Sequence, residues 1–158
     1  MHPDSSQAIL IVDDDPSVTE TFCRVLQLEG FTVYSALSPT GGLELASDKL
    51  PDAIILDLRM PILSGVRFLE LLRERPALEH TPVAIVTGDY FIDNRTTSQI
   101  EALGAPVRFK SIWTDDLVTL ARGLMAEQPL RDLVRPVAPL NVSWRSTSER
   151  SLFARLPE

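Results

Sequence analysis

The stretch from Ala53 to Gly65, AIILDLRMPILSG, constrains this chain more than any other. Four consecutive apolar residues, Ala53-Ile54-Ile55-Leu56, deliver a carboxylate, Asp57, and the run lies between Pro51 and Pro61. An apolar run of strand length without polar alternation fits a strand covered on both faces, as in a parallel sheet. Ligands of open parallel sheets bind outside the carboxyl ends of the strands. Asp57 therefore stands where such a fold does its chemistry.

The rest of the chain reads as further strand–helix pairs. Ala8–Val12, AILIV, is a buried strand followed by Asp13, Asp14 and Asp15. Pro16 suits the first position of a helix, where its missing N–H costs nothing, and Asp14 or Asp15 is placed to cap it. Val18, Phe22, Val25, Leu26 and Leu28 keep helical spacing as far as Gly30, a stop signal. Phe31–Ala36 is suited to a strand and Pro39–Leu50 to a short helix. After the Asp57 strand, Ser64–Arg73 carries Val66, Leu69, Leu71 and Leu72, a third helix. Pro82–Val86, PVAIV, is a fourth strand ending on Thr87-Gly88. A loop with Asp89, Tyr90, Phe91 and Asp93 leads to a helix ending at Gly104. Pro106–Phe109 is a short fifth strand that ends on Lys110. Thr114 is placed to cap a last helix over 115–128, with Asp115 and Asp116 in the first turn, where the helix dipole favours acids. Strict alternation of this kind implies a parallel sheet with helices on both faces and right-handed crossovers. The expected organisation is a lead over 1–7, one domain over 8–128, and a tail over 129–158 marked by four prolines and little periodicity.

Charge and composition narrow the chemistry. The net charge is −7, and the tail carries five Arg against Asp132, Glu149 and Glu158, so the body is more acidic still. That argues against direct binding to nucleic acid. The only histidines, His2 and His80, and the only cysteine, Cys23, cannot build a soft-metal site, so a bound metal would sit on oxygen. Cys23 falls in a helical apolar pattern and is read as core packing in a reducing compartment. No apolar run approaches the roughly 18 residues of a membrane span, and the N-terminal MHPDSSQ lacks a signal pattern. The expectation is a cytoplasmic protein without a membrane partner.

The polar residues at the strand ends form one set: Asp13 with Asp14, Asp57, Thr87 and Lys110. In a parallel sheet these face one edge. Clustered carboxylates oppose one another's ionisation unless a hard cation joins them. Mg²⁺ suits such a site, since it takes a few carboxylates and leaves positions for water and phosphate oxygens. An Asp carboxylate can act as a nucleophile to form an aspartyl phosphate. Mg²⁺, the Lys110 ammonium and the Thr87 hydroxyl would then neutralise and position the phosphoryl oxygens.

IVDDDP, DLRMPxxxG, IVTG and the late FK, each after an apolar strand and in this order, resemble the receiver domain of two-component response regulators. The likeness covers residues 8 to 128. It implies a flavodoxin-like (βα)5 doubly wound sheet of order 2-1-3-4-5, followed by a C-terminal extension. It also implies that Asp57 accepts phosphate from a sensor histidine kinase or phosphotransfer protein. Asp14 and the backbone carbonyl of Arg59 would ligate Mg²⁺ together with Asp57, Asp13 mainly through water. Thr87 and Lys110 would contact the phosphoryl group, and Asp15 is read as a helix cap. Pro61 and Gly65 are read as structural. The expected role is a stand-alone phosphorelay module, not an enzyme, that signals by protein contact or by dimerising when phosphorylated.

Four features depart from the family pattern. Ser111 follows Lys110 where receivers usually have Pro. Val107 stands where a switch aromatic is usual, and the interval from Gly104 to Lys110 is short. The loop after Thr87 is longer and holds Tyr90 and Phe91, candidates to replace that aromatic or to form a partner surface. Two other readings stand beside the receiver. One is a constitutive, phosphate-independent interaction module. The other parses IVDDDPS as the DxD motif of haloacid-dehalogenase-like phosphatases, with Asp13 attacking and Asp15 as acid, but it lacks a closing acidic motif and leaves DLRMPxxxG without a role. In the tail, Asn141–Trp144 is suited to adding a strand to a sheet edge. Ser146–Glu149 matches a capping box ahead of Leu152, Phe153 and Leu156.

Overall fold

The structure is a computed structural model that describes residues 6–110 and 112–126. The readings placed on the tail lie outside the described residues. Elements alternate in chain order: β1 (Ala8–Val12), α1 (Pro16–Leu28), β2 (Thr32–Ala36), α2 (Pro39–Lys49), β3 (Ala53–Leu56), α3 (Gly65–Arg73), β4 (Val83–Thr87), α4 (Asn94–Ala102), β5 (Val107–Phe109) and α5 (Thr114–Ala126). All pairings are parallel, and the strand order is β2-β1-β3-β4-β5. This is the flavodoxin-like order. It reverses direction at β1, so the strands that carry Asp13 and Asp57 lie side by side, with Val12 opposite Leu56.

Successive side chains of a strand point to opposite faces, and each face has its own core. Leu10, Val12, Ile54, Leu56 and Ile85 pack with Leu43 and Ala46 of α2, Phe68, Leu69 and Leu72 of α3, and Ile100 of α4. Ile9, Ile11, Ile55, Ala84 and Val86 pack with Phe22 and Leu26 of α1 and with Leu117, Ala121 and Leu124 of α5. This two-sided burial explains the unbroken apolar runs. β2, at one edge, is only half covered. Gly42 lets α2 lie against the sheet, since a Cβ there would come within 2.8 Å of both methyls of Val12.

Element ends shift by a residue or two from the sequence reading. The capping residues explain the helix starts: Asp15, Ser38, Ser64 and Asp93 accept backbone N–H bonds at the first turns of α1, α2, α3 and α4. α5 is the exception. Thr114 is its first helical residue and not its cap, while Asp115 and Asp116 do occupy the first turn. Leu28 keeps helical spacing but is exposed, because α1 ends there and the chain turns at Gly30 with φ +92. Cys23 is half-buried at the rim of the second core, and burial pushes its thiol pKa up, with a hydrogen bond from Ser35 acting the other way.

Candidate functional site

β1, β3, β4 and β5 end on Asp13, Asp57, Thr87 and Lys110, and parallel pairing brings all four to one edge of the sheet. Backbone bonds fix the register there. Asp57 N–H donates to Val12 O at 2.9 Å, and Lys110 N–H donates to Thr87 O at 2.8 Å. Asp13, Asp57 and Thr87 are buried, whereas Asp14 is exposed. Carboxylate oxygens of Asp13, Asp14 and Asp57 lie within 4.8 Å of one another.

Lys110 closes the cluster, with Nζ 2.9 Å from Asp13 Oδ2 and 3.4 Å from Asp57 Oδ2. Burial works against its ammonium, but the hydrogen bond to Asp13 and the charges of Asp57 and Asp13 outweigh it and raise the lysine pKa. Asp57 is pushed up by burial first and by the neighbouring Asp13 charge second; Lys110 and the Arg59 backbone N–H oppose this. Among the described residues, Asp57 Oδ1 is buried with no hydrogen-bond partner. An orphaned carboxylate oxygen among three clustered acids is what a hard, oxygen-seeking cation satisfies. The donor set therefore fits Mg²⁺.

Gly65 holds the loop after Asp57 against its strand. Its N–H donates to Leu58 O at 2.9 Å, and a Cβ at this position would lie 2.5 Å from the Asp57 carbonyl oxygen. Only glycine permits that approach. Within that loop, Ile62 has φ +73 and a fully exposed side chain, a strained conformation for a β-branched residue.

Most predicted site residues converge here. Asp15 does not: its carboxylate accepts from Ser17 N–H and Val18 N–H at the start of α1. The phosphatase parse needs that carboxylate in the site. Thr87 is fully buried, and its Oγ1 accepts from Asp89 N–H at 3.1 Å. Val107 packs against the first core. Tyr90 stacks on Phe109, with ring centroids 4.9 Å apart and planes 13° from parallel, whereas Phe91 is 92% exposed. Two contacts at the site were not legible in the sequence: the Tyr90–Phe109 stack, and an ion pair between Arg59 Nε and Asp89 Oδ2 at 2.6 Å. Each joins segments that are distant along the chain, and no local spacing signals such a pair.

Known proteins share this sequence pattern and this fold. The sequence profile described as the response regulator receiver domain matches residues 9–119. The transcriptional regulatory protein PrrA of Mycobacterium leprae is 34% identical over 122 residues, covering 77% of this chain and 51% of PrrA. The regulatory protein AtoC of Escherichia coli is 27% identical over 139 residues, covering 87% of this chain and 29% of AtoC. The chain thus spans about half the length of PrrA and less of AtoC. Among solved structures, a response regulator of Chloroflexus aurantiacus superposes with a TM-score of 0.70 at 28% identity, covering 77% of this chain and 99% of that one. Chemotaxis protein CheY4 of Vibrio cholerae shares the fold, with a TM-score of 0.70 at 24% identity over 76% of this chain and 99% of its own. With the profile matched across both strand-end acids, Thr87 and Lys110, the chain belongs to the response regulator receiver family.

Proposed function

We propose that Asp57 is the phosphoacceptor of a signalling module that works in the cytoplasm, is not itself an enzyme, and acts by protein contact. The donor would be a phosphohistidine of a sensor histidine kinase or phosphotransfer protein. An Asp57 carboxylate oxygen attacks phosphorus, the P–N bond breaks, and the imidazole leaves with the electron pair and takes up a proton. The observation that carries this reading is the set of Asp13, Asp14 and Asp57 with Lys110 laid across it.

Asp14, Asp57 and the Arg59 backbone carbonyl would hold Mg²⁺, with Asp13 acting through water. Bound Mg²⁺ supplies neutralisation of the carboxylates and of the charge developing on the phosphoryl oxygens. Lys110 faces the same oxygens as a fixed cation, and the Thr87 hydroxyl donates to one of them. Phosphorylation adds about 1.5 to 2 negative charges at Asp57. The loop after Thr87 then shifts and changes the surface of α4 and β5, which meets a downstream protein or a second phosphorylated copy. Tyr90, held on Phe109, takes the place of the aromatic absent at Val107.

The test is labelling of the whole chain with acetyl phosphate and Mg²⁺, read by intact mass. One phosphoryl group is expected, and Asp57→Asn abolishes it. Label retained in Asp57→Asn but lost in Asp13→Asn would establish the phosphatase reading instead. The aliphatic Val107 favours one other reading, a phosphate-independent binding module. Absence of any label, together with unchanged partner capture by Asp57→Asn, would select it.

A further inference from the structure

Asp89 makes three contacts that link the site to the loop beyond it. Its Oδ2 accepts from Arg59 Nε at 2.6 Å, and its Oδ1 accepts from Phe91 N–H at 2.9 Å. Its own N–H donates to Thr87 Oγ1 at 3.1 Å. One residue thus connects the Thr87 hydroxyl inside the site, the loop between β3 and α3, and the aromatic stretch Tyr90–Phe91. Arg59 lies two residues past Asp57, and its backbone N–H favours the charged Asp57 carboxylate. Its side chain is more than half exposed and reaches Asp89, with Asp93 also within electrostatic range.

We propose that the Arg59 guanidinium is an exchangeable tie: it rests on Asp89 in the unphosphorylated chain and passes to the phosphoryl oxygens when Asp57 is modified, which releases the loop after Thr87. This rests on the reading of Asp57 as phosphoacceptor. One observation and two general properties of phosphate favour the exchange. The Asp57 carboxylate is 4% exposed, so it offers little to a side chain outside the pocket, whereas a phosphoryl group on it projects new acceptor oxygens outward. The phosphoryl group carries about 1.5 to 2 negative charges, against one on Asp89, and it competes for the same cation. Its oxygens also match the planar guanidinium fork, which suits phosphate as well as carboxylate.

Release of Arg59 has a defined consequence. Asp89 would keep its bonds to Phe91 N–H and Thr87 Oγ1 but lose the anchor that holds them to the β3–α3 loop. The Thr87 hydroxyl accepts from Asp89 in the present state, so its proton remains available to the phosphoryl group. Once it donates there, the Asp89–Phe91 stretch is free to follow it. Tyr90, between Asp89 and Phe91, would carry the shift to Phe109 on β5. Asp89 is then a positioning residue and Arg59 a phosphoryl-contacting one.

Side-chain ¹⁵N–¹H spectra of the full chain test this, with beryllofluoride plus Mg²⁺ as the phosphoryl mimic and ¹⁹F signals to confirm the adduct. Arg59→Lys identifies the Arg59 Nε–Hε signal by its loss. In the wild-type adduct that signal and the Phe91 amide are both expected to move, whereas Mg²⁺ alone leaves the Nε–Hε signal near its starting position. Asp89→Asn is expected to move the Arg59 signal in the free protein and to give the wild-type position in the adduct. Arg59→Gln removes the tie at the outset, so its Phe91 amide is expected to stand away from the wild-type position before the adduct forms; a wild-type Phe91 position in the free Arg59→Gln protein overturns the tie. A confirmed adduct with the Arg59 signal unmoved overturns the exchange. Absence of a bound ¹⁹F signal in the wild type overturns the acceptor reading and the exchange with it.

Discussion

Lys110 Nζ stands closer to Asp13 Oδ2, at 2.9 Å, than to Asp57 Oδ2, at 3.4 Å. The lysine is held by the acid next to the acceptor more than by the acceptor itself. A cation that engages Asp13 competes for the same oxygen and turns the lysine toward Asp57. Lys110→Ala is therefore expected to destabilise the metal-free protein by about 2 kcal/mol, since Asp13 and Asp57 lose their buried partner. The same variant is expected to bind Mg²⁺ about tenfold more tightly, because one opposing charge is gone. Urea unfolding and calorimetric Mg²⁺ titration measure the two effects. Equal Mg²⁺ affinity in both proteins would place Lys110 outside the metal's field.

Asp57 is expected to strain the metal-free fold. Its pKa is raised in the folded state, so the folded chain holds the proton more tightly than the unfolded chain does, and stability falls as pH rises through that interval. Asp57→Asn removes the repulsion with Asp13. At neutral pH it is expected to gain about 1 kcal/mol, or roughly 4 °C in Tm. The gain shrinks as pH falls toward the Asp57 titration. Lys110 has the opposite sense: its raised pKa contributes stability in full below the ordinary lysine range and loses it only above. Melting curves of both proteins in a chelator across pH 4 to 8 would show the convergence, and parallel curves would contradict it.

Gly65→Ala is expected to cost about 2–3 kcal/mol, because the new methyl meets backbone and not a flexible side chain. Its effect on the site separates it from a simple core defect. The methyl pushes on the Asp57 carbonyl, so Mg²⁺ affinity falls along with stability. Gly123→Ala, where a Cβ meets nothing within 4 Å among the described residues, is the control and is expected to leave both unchanged or slightly improved.

Arg73 ties the turn before β4 to the end of α4. Its guanidinium donates to the carbonyls of Leu103 at 3.2 Å, Glu79 at 3.1 Å and Thr81 at 2.6 Å. Arg73→Met leaves these carbonyls without that donor and is expected to cost about 2–3 kcal/mol. Faster amide exchange is expected at residues 78–81 and 103–105. Mg²⁺ affinity is expected to stay at the wild-type value, since the tie lies at the amino end of β4 and the site at its carboxyl end.

The strands and the site acids were legible because both are local signals. A doubly covered strand writes itself as an apolar run, as in Ile9–Val12 and Ile54–Leu56, and the residue that ends such a run belongs to the site edge. The start of α1 was legible because a short acidic side chain, Asp15, precedes a proline. Thr114 misled because its residue type suits a cap, whereas the helix already includes it. Leu28 misled because periodicity does not show where a helix loses contact with the sheet.

By itself the sequence determined the alternation of strands and helices, the two-sided sheet, and the placement of Asp13, Asp57, Thr87 and Lys110 at strand ends. All of these follow from period, run length and residue chemistry within a few positions. The tertiary structure alone decided that Lys110 leans on Asp13, that Tyr90 rather than Phe91 meets an aromatic partner, and that Arg59 reaches Asp89 across two loops. These depend on distances between segments far apart along the chain. Such distances are set by how α-helices and loops pack on the finished sheet, and no spacing along the chain encodes them.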